Sequence, residues 1–388
     1  MPITLASKDI GNQQSCTTSP CKNPSAECIE RSSKILTIGL INNMPDSALE
    51  ATERQFNSLL DSACGSMSIS LRLYALPGVP RGELGAARIA KSYADVEEMW
   101  DAQLDGLIVT GREPLTPNLA DEPYWESFTK VLEWARDHTA STIWSCLAAH
   151  AAVLHMDGIG RIRSNHKHCG VYDCARVMDH PLTTGAPSRF KLPHSRWNGI
   201  AEQELKDCGY RILTQSAEAG VDSFVKEDKS MFVFFQGHPE YEVNTLLLEY
   251  RRDIGRYFRG EAAAYPSIPR GYFDAETEVA LAELGREARL FPREELMSEA
   301  TALLEKARID NSWRSTAACI YKNWLNYLSE QKKERLQASR VAKNPNRSDS
   351  SIHTMAGASS ISPIATPTTD AQAPSTLSTA SLSTLTIL

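Results

Sequence analysis

The stretch Ser141-Thr-Ile-Trp-Ser-Cys146-Leu-Ala-Ala-His150-Ala-Ala-Val-Leu154 joins an apolar, β-branched approach to a run of helix formers, with a cysteine between them. This pattern predicts a strand, a sharp turn and a helix. Cys146 then lies at the carboxyl end of a strand and the amino end of a helix, where backbone N–H groups are unpaired and the helix dipole lowers the pKa of a thiol. Cys146 is therefore a candidate nucleophile.

A second apolar segment, Met231-Phe-Val-Phe-Phe235, runs into Gln-Gly-His238-Pro-Glu240. A histidine can accept and return a proton, and a carboxylate can fix the imidazole tautomer and stabilise its charged form. Taken singly, Cys146 is also compatible with a buried core thiol and His238 with a loop histidine. Together with Glu240 they predict a catalytic triad, because a parallel sheet would bring both strand ends to one edge.

Strand-like and helix-like segments alternate through the first half of the chain. Apolar or alternating runs predict strands at 34–41, 68–76, 105–111 and 141–145. Apolar residues at helical spacing predict helices at 49–63, 89–104 and 125–138. This βαβα order predicts an α/β fold with an open, mostly parallel sheet and helices on both faces. Ligands of such sheets bind outside the carboxyl ends of the strands.

The ends of the chain differ in composition from its middle. Residues 1–33 are polar and lack apolar periodicity, and 331–388 pass from Lys and Arg into Ser, Thr, Ala and Pro, so we expect a disordered tail at each end. The single domain is predicted at 34–330. Within it, two segments predict polar loops, 161–172 and 190–197, and the stretch 275–308 predicts two helices.

Charge and composition exclude several classes of protein. The net charge of −7 and the pI near 5.8 argue against non-specific binding to nucleic acid or to an anionic membrane. No apolar run is long enough to span a membrane, and residues 1–33 lack the apolar segment of a signal peptide. We therefore expect a cytoplasmic protein. Nine cysteines without repeating spacing predict reduced thiols and not a disulfide framework.

Several short motifs carry a family resemblance: Cys-x-Ala-x-x-Ala-Ala from Cys146, Gly-His-Pro-Glu-Tyr from Gly237, Pro-His-Ser-Arg from Pro193, Asp-Gly-Leu-Ile-Val-Thr-Gly from Asp105 and Asn-Trp-Leu-Asn-Tyr from Asn323. With them the chain resembles the homoserine O-acyltransferases (O-succinyltransferases) of methionine biosynthesis, over about 34–328. The resemblance implies a class I glutamine amidotransferase-like, flavodoxin-like fold and a homodimer.

The same resemblance implies ping-pong chemistry on small molecules. Acyl-CoA, either succinyl-CoA or acetyl-CoA, would acylate Cys146 as a co-substrate, with no cofactor and no metal. His238, oriented by Glu240, would then deprotonate the side-chain hydroxyl of L-homoserine. Residues likened to substrate-binding positions of the family are Lys167, Ser195 and Arg252.

Two positions depart from the family pattern. Family members usually carry a lysine after Met-Pro, whereas Asp46 follows Met44-Pro45 here, so a positive group is lost from this loop. Where family members have a Gly or Glu linked to the choice between succinyl and acetyl donors, the register places Leu115.

Other functions remain open at this point. The acceptor could be L-serine or another hydroxy amino acid, and the chain could be a binding homologue without activity. A glutamine amidotransferase-like hydrolase usually has Gly on both sides of its cysteine, whereas Ser145 and Leu147 stand here. A metal or redox site could draw on six further side chains, whose spacing matches no zinc box: His150, His155, His166, His168, Cys169 and Cys174.

Overall fold

A ten-stranded sheet runs through the computed structural model, which describes residues 3–5 and 26–343. Its strands are β1 (Ile3–Leu5), β2 (Ile35–Ile41), β3 (Ser68–Tyr74), β4 (Gly106–Thr110), β5 (Ser141–Ser145), β6 (Ile162–Arg176), β7 (Arg189–Gly199), β8 (Arg211–Ser216), β9 (Gly220–Glu227) and β10 (Met231–Phe235).

The longer helices flank this sheet. They are α1 (Ala26–Ser33), α2 (Leu49–Ala63), α3 (Glu83–Ser92), α4 (Val96–Trp100), α5 (Trp125–His138), α6 (Leu147–Asp157), α7 (Glu202–Asp207), α8 (Thr245–Phe258), α9 (Ala275–Leu290), α10 (Glu295–Lys306) and α11 (Arg314–Lys343). The pair α9 and α10 confirms the two helices expected within 275–308.

One half of the sheet is parallel, in the order β1-β3-β2-β4-β5-β10. Strands β4, β5 and β10 are buried at every position, since helices cover both faces, and this explains the largely apolar sequences of β4 and β10. Core side chains fall into two clusters on opposite faces, with α2 and α8 to α11 contributing to one and α4 to α7 to the other. The predicted α/β class, open sheet and two helical layers are confirmed.

The other half of the sheet is antiparallel, in the order β10-β9-β8-β6-β7. The predictions of loops at 161–172 and 190–197 are therefore wrong, because these segments lie in β6 and β7. Polar side chains on these strands and Pro193 within β7 hid the strand pattern. Proline is tolerated there because β7 is an edge strand, where a missing N–H costs no ladder bond on the open side.

Two helices extend beyond the predicted domain boundaries. Helix α1 lies inside the segment predicted as an N-terminal tail, and α11 continues past residue 330 to Lys343. Strand β1 lies in the same N-terminal segment and pairs with β3. The rest of the predicted tails, 1–2, 6–25 and 344–388, lies outside the described residues. In the part of the chain that the structure describes, no helix is both long and apolar enough to cross a membrane.

The end of α11 is anchored to the sheet by one buried carboxylate. Asp105, 5% exposed, precedes β4 and accepts a hydrogen bond at Oδ2 from the Thr37 N–H at 2.9 Å. Its two oxygens also contact Lys332 Nζ at 2.8 Å and Arg335 Nη2 at 3.0 Å. Residues beyond 330 therefore contribute to the folded unit.

We predict that Asp105→Ala lowers the free energy of unfolding by about 2 kcal/mol, because it removes a buried acceptor and leaves two cations without their partner. Urea unfolding followed by circular dichroism measures this change. Asp61→Ala, which removes an exposed carboxylate from α2, is the matched control and should change stability by less than about 0.5 kcal/mol. Equal effects of the two substitutions would show that Asp105 does not anchor α11.

Candidate active site

Cys146 occupies a strained turn between β5 and α6. Its φ of 53° and ψ of −116° make it the only non-glycine residue with positive φ in the described part of the chain. The turn is held because the Cys146 N–H donates to the Phe235 carbonyl at 2.7 Å and the Cys146 carbonyl accepts from the Ala149 N–H at 2.9 Å. Strain of this kind is concentrated at functional sites, and a sharp strand-to-helix turn exposes a nucleophile. The predicted strand, turn and helix are confirmed.

The loop after β4 packs directly against this turn. Thr110 pairs with Ser145 across β4 and β5, so Gly111 lies beside Cys146. A Cβ on Gly111 would lie 2.5 Å from the Ala148 nitrogen, which means that only glycine allows this approach. The Leu147 N–H is the first of α6 and by its position has no acceptor within the helix. A backbone donor is therefore available next to the thiol.

His238 and Glu240 form a buried pair at the end of β10. His238 Nδ1 lies 2.8 Å from Glu240 Oε1, which leaves Nε2 for the hydrogen bond to Cys146. Burial disfavours the charged imidazolium, but the charges and hydrogen bonds of Glu240 and Cys146 outweigh it and raise the pKa of His238 well above 6.5. The structure thus brings the three predicted triad residues together and favours a protonated His238 beside the thiol.

Neighbouring elements fix the orientation of His238. The backbone N–H of His238 donates to the Pro193 carbonyl of β7 at 2.8 Å. The Tyr241 ring stacks on the His238 imidazole, with the two ring centroids 4.2 Å apart. The Ser145 hydroxyl donates to Glu240 Oε1 at 3.4 Å. The Pro-His-Ser-Arg and Gly-His-Pro-Glu-Tyr motifs therefore meet around one imidazole.

Lys167, Ser195 and Arg252 also converge, around two carboxylates of α8. Lys167 Nζ lies 2.9 Å from Asp253 Oδ2 and 4.0 Å from Glu249 Oε2. Ser195 Oγ donates to Glu249, and Arg252 Nη2 lies 2.8 Å from Asp253 Oδ1. We call Lys167, Ser195, Glu249, Arg252 and Asp253 the polar cluster. Its two acidic members were missed by the sequence predictions, although Glu249 stands three residues before Arg252 on the same helix.

Charge pairing keeps the polar cluster ionised. Burial opposes ionisation of Asp253, but Lys167 and Arg252 lower its pKa below the ordinary value. Burial likewise opposes the charge on Lys167, whereas Cys169, Glu249 and Asp253 raise its pKa. The Tyr241 hydroxyl donates to Glu249 Oε1 at 2.5 Å, while its ring covers His238. The cluster thus offers both cations and carboxylates next to the triad, where they can bind a ligand that carries one negative and one positive group.

The loop beyond Gly111 is held by Glu122 and flanked by arginines. Leu115, the residue predicted to affect the choice of acyl donor, has a side chain that is 54% exposed. Its backbone N–H donates to Glu122 Oε1 at 2.6 Å, which holds the loop at this position. Arg112 and Arg161 each bury an Nη1 atom that has no hydrogen-bond partner among the described residues. Both guanidinium groups lie near Tyr124.

Arg81 supplies a positive charge to the loop in which Asp46 replaces the usual lysine. Its Nη2 donates to the Asn42 carbonyl at 3.1 Å, and its Nη1 donates to the Met44 carbonyl at 2.5 Å. Asp46 accepts from the Gly82 N–H at 2.7 Å and faces Arg81 Nη1 at 3.3 Å. This loop therefore keeps a cation, but one that is paired with Asp46.

The alternative metal site does not form from the six residues named for it. Within residues 3–5 and 26–343, the one cluster of three ligand-type side chains joins Cys174 to His194 and Asp222. Arg196 Nε donates to His194 Nδ1 at 3.2 Å, and His194 Nε2 lies 3.2 Å from Asp222 Oδ1. The Arg196 cation thus already contacts the histidine–aspartate pair in this cluster.

The fold and the site together define the class of this protein. It is an α/β protein with a cysteine, a histidine and a glutamate at the carboxyl edge of a parallel sheet. The profile of the homoserine O-succinyltransferase family matches residues 23–335, and the chain belongs to this family. It is thus an O-acyltransferase of a family that acts in methionine biosynthesis.

Named relatives agree with this assignment. The homoserine O-succinyltransferase of Bradyrhizobium japonicum is 45% identical over 296 residues, which cover 76% of this chain and 90% of the relative. That of Rhodopseudomonas palustris is 42% identical over 328 residues, covering 84% and 96%.

Solved structures give a weaker likeness. A glutamine amidotransferase from Thermotoga maritima is 14% identical, with 70% of this chain and 97% of that chain covered and a TM-score of 0.40. Another, from Methylobacillus flagellatus, is 13% identical, with 76% and 95% covered and a TM-score of 0.42. Both scores are below 0.5, and the fold described above rests on the strand order alone.

We predict that Glu240→Gln slows alkylation of Cys146 by iodoacetamide near pH 7, because the Glu240 carboxylate is one of the groups that raise the pKa of His238. Loss of the carboxylate lowers the His238 pKa, so less imidazolium stabilises the thiolate at this pH. The difference should disappear at a pH above the His238 pKa of both proteins. Peptide mass spectrometry measures the rate, and Cys319 provides the internal control. An unchanged rate at Cys146 would contradict the inferred ion pair.

Proposed function

We propose that this protein transfers an acyl group from acyl-CoA to the side-chain hydroxyl of L-homoserine, through a thioester on Cys146. The observation that carries the proposal is the arrangement at His238: the Cys146 thiol on one ring nitrogen, the Glu240 carboxylate on the other and a raised imidazole pKa. An imidazolium beside a cysteine favours the thiolate, which is the nucleophilic form. Membership of the family supports homoserine as the acceptor.

In the first half-reaction the Cys146 thiolate attacks the thioester carbonyl of acyl-CoA. The oxyanion that develops is stabilised by the Leu147 N–H at the start of α6, where the helix dipole also favours negative charge. The bond between the acyl carbon and the CoA sulfur then breaks, and the departing thiolate takes the proton from His238 Nε2. The products are the Cys146 thioester, free CoA and a neutral His238.

In the second half-reaction neutral His238 accepts the proton of the homoserine hydroxyl. The oxygen attacks the thioester carbonyl, and the bond to Cys146 breaks to release O-acylhomoserine. Cys146 leaves as a thiolate, which the newly formed imidazolium stabilises. Glu240 keeps Nδ1 protonated in both steps, so that Nε2 alone exchanges the proton.

The polar cluster is suited to the amino-acid end of the acceptor. The guanidinium of Arg252 can bind the homoserine carboxylate with two parallel hydrogen bonds, and the carboxylate of Glu249 can accept from its ammonium group. Tyr241 connects the two regions, because it contacts both Glu249 and His238. The acceptor would therefore bind with its hydroxyl directed towards the triad.

A succinyl group is favoured over an acetyl group as the donor. Buried guanidinium nitrogens without partners are costly, and a terminal carboxylate would satisfy those of Arg112 and Arg161. Arg112 directly follows Gly111, which contacts the backbone of α6 beside Cys146. The relatives from Bradyrhizobium japonicum and Rhodopseudomonas palustris carry the name homoserine O-succinyltransferase.

We predict that intact-protein mass spectrometry detects a succinyl adduct after mixing with succinyl-CoA, and much less adduct with acetyl-CoA. Cys146→Ala should abolish the adduct because it removes the nucleophile, whereas Cys319→Ala should retain it. Added L-homoserine should discharge the adduct faster than L-serine does.

Each other outcome has a distinct meaning. Faster discharge by L-serine would show that L-serine, and not L-homoserine, is the preferred acceptor. An adduct that persists in Cys146→Ala would place the nucleophile elsewhere, and a folded protein that forms no adduct with either donor would overturn acyl transfer through a thioester.

A further inference from the structure

An open pocket of about 230 Å³ lies between α8 and α10, outside the triad and most of the polar cluster. Six residues line it, five from α8 and its carboxyl end and one from α10: Leu248, Arg251, Arg252, Gly255, Arg259 and Met297. Arg252 is the one lining residue that also belongs to the polar cluster, so the pocket lies next to that cluster.

Gly255 creates the space in this pocket. Positions 251, 255 and 259 follow one another at helical spacing, so Gly255 separates two arginines on one face of α8. A Cβ at Gly255 would lie 3.0 Å from Arg259 Nη1 and 3.9 Å from Met297 Cε. Any larger side chain would therefore fill the gap between Arg251 and Arg259.

The lining is strongly positive and contains no acidic side chain. Among the described residues, the Arg251 side chain has no hydrogen bond or ion pair. The Arg259 side chain pairs with Glu261, with Nε 2.6 Å from Oε1 and Nη2 3.1 Å from Oε2. Both Glu261 and Arg259 are more than half exposed, so that contact can be exchanged for another anion at little cost. Three guanidinium groups around an open pocket are suited to phosphate, which arginine binds with paired hydrogen bonds.

The apolar part of the lining favours an organic phosphate over the inorganic ion. Leu248 is 41% exposed, which leaves an uncovered apolar surface beside the arginines. Met297 adds a flexible, polarisable wall that can contact an aromatic ring. The pocket thus combines cations for phosphates with an apolar surface for a base.

We propose that this pocket binds the adenosine 3′,5′-bisphosphate end of acyl-CoA, with Arg251 and Arg259 contacting its phosphates. This assignment rests on the proposed function, which requires a donor that carries such a group. Because the pocket shares Arg252 with the polar cluster, the assignment requires the pantetheine arm to run from Arg252 past this cluster to Cys146. Arg251 and Arg259 are thus binding residues for the donor and take no part in the chemistry.

Steady-state kinetics with two donors test the assignment: succinyl-CoA, and the succinyl thioester of N-acetylcysteamine, which lacks the nucleotide. We expect Arg251→Ala and Arg259→Ala each to raise KM for succinyl-CoA about tenfold, the loss of one charged hydrogen bond, with kcat unchanged. The kcat/KM for the truncated donor should change less than twofold, which also shows that the variants are folded. Arg286→Ala, an exposed arginine of α9, is the control for net charge and should leave both donors unaffected.

A second variant separates shape from charge. Gly255→Leu keeps all the arginines but fills the pocket, and it should raise KM for succinyl-CoA as strongly while sparing the truncated donor. Calorimetry with adenosine 3′,5′-bisphosphate should detect binding to the wild type and a loss of at least tenfold in each pocket variant.

Unchanged KM for succinyl-CoA in the pocket variants, or equal losses with both donors, would overturn this assignment while leaving acyl transfer intact. Failure of the wild type to use either donor would instead overturn the proposed function, and the assignment with it.

Discussion

The active site depends on the register of three parallel strands. Thr110, Ser145 and Phe235 lie side by side at the ends of β4, β5 and β10. The next residue of each strand leaves the sheet at the same edge, which places Gly111, Cys146 and the turn to His238 together. A shift of one residue in any strand would move its side chains to the other face and separate the thiol from the imidazole.

The antiparallel half of the sheet completes the site that the parallel half begins. Strand β7 supplies the Pro193 carbonyl that fixes the His238 backbone and carries Ser195, and β6 carries Lys167. Helix α8 then presents Glu249 to both Ser195 and Tyr241. The triad lies at the end of the parallel half, the polar cluster is built from β6, β7 and α8, and Tyr241 contacts both His238 and Glu249.

The sequence predicts some parts of this architecture well and others poorly, for physical reasons. Continuous apolar strands and the strand-to-helix break at Cys146 are local patterns, so the parallel half and the elbow can be predicted. Strand β7 contains Pro193 and several polar residues, of which His194 and Arg196 are buried, and this composition resembles a loop unless its place in the sheet is known. The acidic residues Glu249 and Asp253 lie on a helix face among other charges, and only the fold distinguishes them from solvated side chains.

Isotope exchange tests the central claim, a covalent acyl group on Cys146, most directly. Protein, unlabelled succinyl-CoA and labelled free CoA are incubated without any acceptor, and transfer of label into succinyl-CoA is followed. A thioester intermediate predicts rapid exchange in the wild type and none in Cys146→Ala, since the acyl-enzyme can return its acyl group to labelled CoA. Exchange that appears only after L-homoserine is added would contradict the account and indicate direct transfer between the two bound substrates.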